Sequence, residues 1–138
     1  SPGQVDAIDF KTSGNVLLKG YRLWGVIVGS TTYQVTIRLY QEGILITERS
    51  GSFFTRASDK TFKVYFSQGI SIRAGLRYTA TAKIVTSKNS YTLRNAMSST
   101  SCSKVTVTFQ SSSKDSNGSG ESTGQIPALI FGSLQCQI

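Results

Sequence analysis

Apolar and polar residues alternate along several stretches of this chain, which is the period-two pattern of a strand with one buried face. The pattern is clearest in 33–40 (YQVTIRLY) and is repeated in 61–67 (TFKVYFS), 78–85 (YTATAKIV) and 104–110 (KVTVTFQ). The predicted inward residues are Tyr33, Val35, Ile37, Leu39, Phe62, Val64, Phe66, Tyr78, Ala80, Ala82, Ile84, Val105, Val107 and Phe109. Strands therefore dominate the predicted structure.

Turn-forming residues separate these segments at short intervals, and their spacing predicts hairpins. The turns are Gln41-Glu42-Gly43, Ser67-Gln68-Gly69 and Ala74-Gly75. A helical period is weak throughout, with 92–97 as the best window. Short antiparallel strands in this number close a core as a sandwich or a barrel, so we predict an all-β fold.

A polar, glycine-rich run occupies residues 111–124 (SSSKDSNGSGESTG). Such a composition is typical of flexible segments. The segment 125–131 (QIPALIF) that follows has the composition of a strand, so the run is predicted to be a mobile loop within the domain.

The segment 20–25 (GYRLWG) places the only tryptophan of the chain between two glycines. It is flanked by two apolar, strand-like runs, 16–18 and 26–28. Glycine beside a strand supplies a positive φ or lets another backbone approach closely. We therefore predict a tight corner, with Gly20 and Gly25 as its structural turn residues.

The side chains of this segment have two possible roles. In the first, Trp24 packs into the core with Leu23 while Arg22 is solvated, since a lone tryptophan is often largely buried. In the second, Tyr21, Arg22 or Trp24 lies at the rim of a groove for a partner, where aromatic and arginine side chains are effective anchors. The pattern leaves both roles open.

The composition fits one globular domain, which we take to be residues 1–138. No apolar run approaches the length that spans a bilayer, so no membrane insertion is expected. The first ten residues have neither a basic start nor a long apolar segment, which argues against a secretory signal and favours a fragment of a longer protein.

Cys102 and Cys136 are the only cysteines, and they lie 34 positions apart. Two cysteines are too few to suggest a disulfide scaffold, and a free cysteine is commonly a small buried apolar residue. The sequence therefore favours two reduced thiols in an intracellular protein. The alternative is a secreted β-sandwich with one disulfide between them.

The chain contains no histidine, which excludes Ser-His-Asp and Cys-His nucleophilic sites and imidazole metal ligands. Two distant cysteines cannot by themselves form a tetrahedral zinc site. No glycine-rich phosphate-binding motif is present, so no cofactor is expected. These exclusions favour a binding module over an enzyme.

A net charge of +8, from 15 basic and 7 acidic residues, leaves nucleic-acid binding open as a rival function. Tyr40 and Tyr65 are predicted on polar strand faces next to Arg38 and Lys63, where they could stack bases in a basic β-barrel that binds single strands. The basic residues form no consecutive run, so a solvated basic surface is the simpler interpretation.

The order of five segments resembles the PHR domain, the module named for Pam, Highwire and their worm relative. The segments are VLLKGYRLWGVIVG (16–29), YQVTIRLYQ (33–41), TFKVYFSQGISIRAGLRYTATAKI (61–84), VTVTFQSS (105–112) and GQIPALIFG (124–132). The resemblance covers about residues 5–131, and its most specific parts are the glycine-aromatic-glycine segment and Gly124-Gln125-Ile126-Pro127. It resembles the Pam-type proteins in particular, and among their two PHR repeats the first.

The resemblance implies an antiparallel β-sandwich whose functional loops cluster at one end and hold protein partners. Pam and Highwire relatives are large neuronal RING-type ubiquitin ligases that restrain synapse growth and axon signalling, and a second group carries a BTB domain and serves cullin ligases as adaptors. The implied function is a non-catalytic module in the neuronal cytoplasm that recruits adaptors or substrates. The isolated domain is expected to be monomeric. Catalysis would lie elsewhere in the parent protein.

The candidate partner-binding residues are Tyr21, Arg22, Trp24, Tyr91 and Arg94. The last two lie in the polar segment 85–104, where the family usually carries glycines around a tyrosine or histidine. Here Tyr91 is present without those glycines, so this loop departs from the family pattern.

Overall fold

The computed structural model describes residues 5–85, 93–94, 99–102, 104–114, 123–124, 126–132 and 134–138. These residues form β-strands and one 3-10 helix, Ala57–Asp59. The strands are β1 (Val5–Thr12), β2 (Val16–Trp24), β3 (Ser30–Gln41), β4 (Ile44–Arg56), β5 (Thr61–Ile72), β6 (Tyr78–Val85), β7 (Leu93–Arg94), β8 (Ser99–Cys102), β9 (Val105–Ser111), β10 (Thr123–Gly124), β11 (Ala128–Phe131) and β12 (Leu134–Gln137).

The strands form two main antiparallel sheets that pack face to face. The larger sheet has the order β4-β3-β6-β1-β9-β8, and the smaller has the order β12-β11-β2-β5. Strands β7 and β10 form a separate two-stranded pair. The all-β sandwich predicted from the sequence is therefore confirmed. In the described part of the chain, no helix has the length and apolar character needed to cross a membrane.

The core lies between the inner faces of the two sheets, as the alternation predicts. Of the predicted inward residues, Phe62, Ile84 and Val105 are partly buried and pack against the core, and the others are buried. Burying a large apolar side chain contributes about 1.5–3 kcal/mol relative to leaving it exposed, so this inner layer supplies the main driving force for folding.

Two of the three predicted turns are present. Glu42 and Gly43 have φ values of 48° and 84° and connect β3 to β4 as a two-residue hairpin, for which two positive φ values are typical. Gly75, with φ of 80°, lies in the turn between β5 and β6.

The turn predicted at Ser67-Gln68-Gly69 is wrong. These residues lie inside β5, at a point where its register against β2 shifts. Leu18 pairs with Ile70 while Gly20 pairs with Tyr65, so β5 contains extra residues at a bulge. Polar residues and glycine at a bulge resemble those of a turn, which explains the error.

The corner predicted at residues 20–25 is also wrong. Strand β2 continues through Trp24, and the strand-like run 26–28 belongs instead to the connection that follows it. Neither Gly20 nor Gly25 has a positive φ. A Cβ atom on Gly20 would overlap the carbonyl of Val64, and one on Gly25 would overlap the Thr55 hydroxyl. The two glycines therefore permit close approach, which was the other role considered for them.

Cys102 and Cys136 form a disulfide, so the expectation of two reduced thiols is wrong. The bridge joins β8, an edge strand of the larger sheet, to β12, an edge strand of the smaller sheet. Their Cα atoms are 5.6 Å apart, within the range that a disulfide spans. Spacing along the chain cannot show that two edge strands face each other, and this explains why the sequence favoured thiols.

The predicted loop 111–124 is described only at its two ends. Ser111 ends β9, and Thr123–Gly124 forms strand β10 rather than loop. The Lys114 ammonium lies 4.2 Å from the centre of the Tyr40 ring, which places the start of the segment over the outer face of the larger sheet. Residues 115–122 lie outside the described residues, so mobility of the loop stays a prediction. Within the window 92–97, the described residues 93–94 are extended.

Candidate functional site

Two short connections lie together at one end of the sandwich. The connection 25–29 joins β2 to β3, and 57–60 joins β4 to β5. The Ala57 N–H donates to the Gly29 carbonyl at 2.8 Å, and the Gly25 N–H donates to the Lys60 carbonyl at 2.7 Å. These two connections, which we call the loop end, are therefore held against each other by backbone hydrogen bonds.

Apolar side chains are exposed at and beside the loop end. Val28 is 73% exposed and Ile27 is 41% exposed, and both lie in the connection 25–29. Phe54, near the end of β4, is 62% exposed. Sequence reasoning missed these residues because it assigned 26–28 to a strand and Phe54 to no element. Neighbouring exposed apolar residues such as Ile27 and Val28 often mark protein-interaction sites, whereas Phe54 lies on the outer face of the larger sheet.

Arg22 and Trp24 lie on the outer face of the smaller sheet, next to the loop end, and both are half-buried. The Arg22 guanidinium donates to the Thr61 hydroxyl at 2.7 Å. In the β2–β5 register Arg22 is paired with Lys63, and Trp24 is paired with Thr61. Directly paired like charges are unfavourable in a sheet, so Arg22 and Lys63 form a locally positive surface that an anionic group would stabilise. We call Arg22, Trp24 and Lys63 the basic face.

Tyr21 points the opposite way and is fully buried between the sheets. Its hydroxyl donates to the Arg38 carbonyl at 2.6 Å, and its ring packs edge-on against Phe66 at 5.3 Å. Burial raises the pKa of Tyr21 well above its ordinary value. The predicted role of Tyr21 at the rim of a partner groove is therefore wrong, because its side chain joins the two sheets inside the core.

Of the other two candidate residues, Arg94 is described by its backbone alone. Arg94 lies in strand β7, where its backbone pairs with Thr123 of β10. Tyr91 lies outside the described residues. A role for Tyr91 and Arg94 in partner binding stays a prediction.

Comparison with known proteins identifies the family. Residues 1–132 match the PHR domain. The chain belongs to the PHR domain family. It is 36% identical over 129 residues to BTB/POZ domain-containing protein 3 of Mus musculus and of Homo sapiens, and also to BTB/POZ domain-containing protein 6-A of Danio rerio. Each match covers 94% of this chain and 24%, 25% and 24% of the relative, respectively. The chain thus spans about a quarter of the length of these relatives.

The structure of this PHR domain separates the residues proposed to stack bases. Tyr40 and Arg38 lie on the outer face of the larger sheet, whereas Tyr65 and Lys63 lie on the outer face of the smaller sheet. Arg38 is also paired with Glu48 at 2.8 Å, and Tyr40 is covered by the Lys114 ammonium. The two pairs cannot form one stacking platform, so the geometry does not favour the single-stranded nucleic-acid hypothesis.

The chemistry available at the loop end and the basic face is that of binding. Ile27 and Val28 offer apolar surface that a partner can bury, and Arg22 and Lys63 attract carboxylates. No cluster of three or more His, Cys, Asp or Glu that could hold a metal ion occurs among the described residues of the PHR domain.

Proposed function

We propose that this PHR domain is a non-catalytic protein-interaction module of a large RING-type ubiquitin ligase of the Pam/Highwire type. In this proposal the loop end and the basic face together recruit adaptor or substrate proteins in the cytoplasm of neurons, where the ligase regulates synapse and axon development. The observation that supports it best is the exposure of Ile27 and Val28 in the connection that directly follows β2, the strand on which Arg22 is paired with Lys63. The resemblance of the five segments to Pam-type proteins supports the choice of parent.

A BTB-type parent is the second candidate, and it is supported by the similarity to BTB/POZ domain-containing proteins 3 and 6. In that case the same surface would recruit substrates to an adaptor of a cullin ligase. The two parents differ in what is joined to the domain, and the role proposed for the domain is the same in both.

The proposed partner surface has a definite chemistry. Apolar side chains at the loop end would anchor an apolar segment of the partner, while Arg22 and Lys63 would pair with acidic residues beside that segment. The Thr61 hydroxyl restricts the Arg22 side chain before binding, which lowers the entropy lost when the complex forms. Electrostatic complementarity would contribute mainly to specificity and to the association rate.

The double variant Arg22→Gln/Val28→Ser is expected to lose most partner capture from neuronal lysate, measured by mass spectrometry against the wild-type domain. Anchors of this kind contribute about 2 kcal/mol or more, so the affinity for the partner should fall by roughly 30-fold or more, and recovery of the partner should fall with it. Both residues are at least partly exposed, so the fold should be retained.

The matched control is Ile44→Ser/Arg77→Gln, which makes the same types of change at exposed residues at the opposite end of the sandwich. The control should capture the same proteins as the wild type. Equal capture by the wild type and both variants would show that the loop end and the basic face are not the binding surface.

A further inference from the structure

A cavity of about 360 Å³ opens between the two main sheets, at the end opposite to the loop end. Val16 and Leu17 at the start of β2, with Phe131 at the end of β11, form its wall on the smaller sheet. Val105 and Val107 form the wall on the larger sheet, and the Cys102–Cys136 disulfide also lines the cavity. This volume is at the lower end of the range of small-ligand sites, about 300–1,000 Å³, and is enough for a group of one or two residues.

The polar side chains that line this cavity are hydrogen-bond donors. Lys104 is exposed, and it takes no part in the ion pairs Arg38–Glu48 and Arg56–Asp59 of the described residues. The Asn15 Oδ1 atom accepts a hydrogen bond from the Ala74 N–H at 2.9 Å. The group that Asn15 can offer to a ligand is therefore its side-chain NH2, which is a hydrogen-bond donor. None of the described lining residues is acidic. Because one of these donors is a cation, an anionic acceptor is the group that they bind most favourably.

We propose that this cavity is a binding site for a carboxylate that carries a branched apolar group, such as the last residue of a peptide chain. The apolar group lies against Val16 and Val105, which are only partly buried, and the carboxylate accepts hydrogen bonds from the Lys104 ammonium and the Asn15 amide. A charge-assisted hydrogen bond of this kind is stronger than a neutral one, so Lys104 dominates the affinity. This site is independent of the loop end and does not rest on the function proposed above.

The probe is the tripeptide N-acetyl-Gly-Gly-Leu with a free carboxylate, titrated into the 15N-labelled domain and followed by NMR. The amide signals of Leu17, Val105 and Gly132 are expected to shift. The same peptide with a C-terminal amide, and the Lys104→Gln variant with the acid peptide, should each bind about tenfold more weakly. The matched control Lys83→Gln removes the same charge from β6 and should bind as the wild type does.

A parallel titration with 4-methylpentanoate identifies the source of the ligand. Tighter binding of the tripeptide supports a chain terminus, and equal binding supports a small carboxylic acid, so both results support the site. The proposal is overturned if neither probe shifts these signals at millimolar concentration. It is also overturned if the amide peptide binds as tightly as the acid, or if Lys104→Gln retains wild-type affinity while its thermal unfolding matches that of the wild type.

Discussion

Removal of the Cys102–Cys136 disulfide is expected to lower the free energy of unfolding by about 4 kcal/mol. The bridge spans 34 positions of sequence, and opening a loop of that length returns this much conformational entropy to the unfolded chain. It also joins the edge strands β8 and β12, so its loss removes the covalent link between the two sheets. Urea denaturation of the oxidised and the reduced domain should show a lower midpoint for the reduced form.

The double variant Cys102→Ser/Cys136→Ser is the control for this measurement. It should unfold at a midpoint close to that of the reduced wild type and should not respond to reductant. Coincident denaturation curves for oxidised and reduced wild type would contradict the expectation, as would two thiols that react with an alkylating reagent in the folded protein. If the expectation is correct, the stability of the domain depends on the redox state of its surroundings.

The substitution Gly20→Ala is expected to lower the free energy of unfolding by about 3 kcal/mol, the upper part of the range for overpacked sites. A Cβ atom at this position would approach the Tyr65 Cα atom to 2.7 Å and overlap the Val64 carbonyl. These are backbone atoms of β5, so the overlap can be removed only if the pairing between β2 and β5 opens. The midpoint of thermal or urea unfolding measures the effect.

Gly14→Ala provides the comparison, because the new Cβ atom would meet only a Val105 side-chain atom, at 3.2 Å. That side chain can adjust, and alanine restricts the unfolded chain more than glycine does, so the net change should be within about 1 kcal/mol. A Gly20→Ala domain as stable as the wild type would show that β2 and β5 do not approach as closely as the structure indicates.

The strands that could be predicted from sequence are those with one buried face. Strands β3 and β9 alternate because the core covers one side of each and their other sides remain polar. Strand β4 was missed because it is an edge strand, and the run 44–46 is exposed throughout. The core covers only the end of β4, at Phe53 and Thr55, so most of this strand has little alternation to detect.

The errors at residues 20–25 and 67–69 have a common physical cause. Gly20 in β2 and Gly69 in β5 both allow these two strands to approach closely. The two strands are far apart along the chain. A local pattern cannot distinguish a glycine that permits such an approach from one that forms a turn. Because a corner was predicted, the alternation that places Tyr21 inside and Arg22 outside was not applied.

The candidate site was predicted in part. Arg22 and Trp24 were selected as aromatic and arginine anchors, and the structure places them on one face beside the loop end. Lys63 was recognised as an outward residue, but its pairing with Arg22 depends on a strand register that the sequence does not reveal. The disulfide and the cavity beside it could not be predicted either, because both depend on how the two sheets are stacked.

Photo-crosslinking from single positions tests most directly the claim that the loop end contacts protein partners. A benzophenone amino acid would replace Val28 at the loop end or Ile44 at the opposite end, since both side chains are highly exposed, at 73% and 69%. After irradiation in neuronal lysate, the account predicts discrete crosslinked adducts from position 28 and few or none from position 44. Adducts from position 44 alone, or the same adducts from both positions, would contradict it.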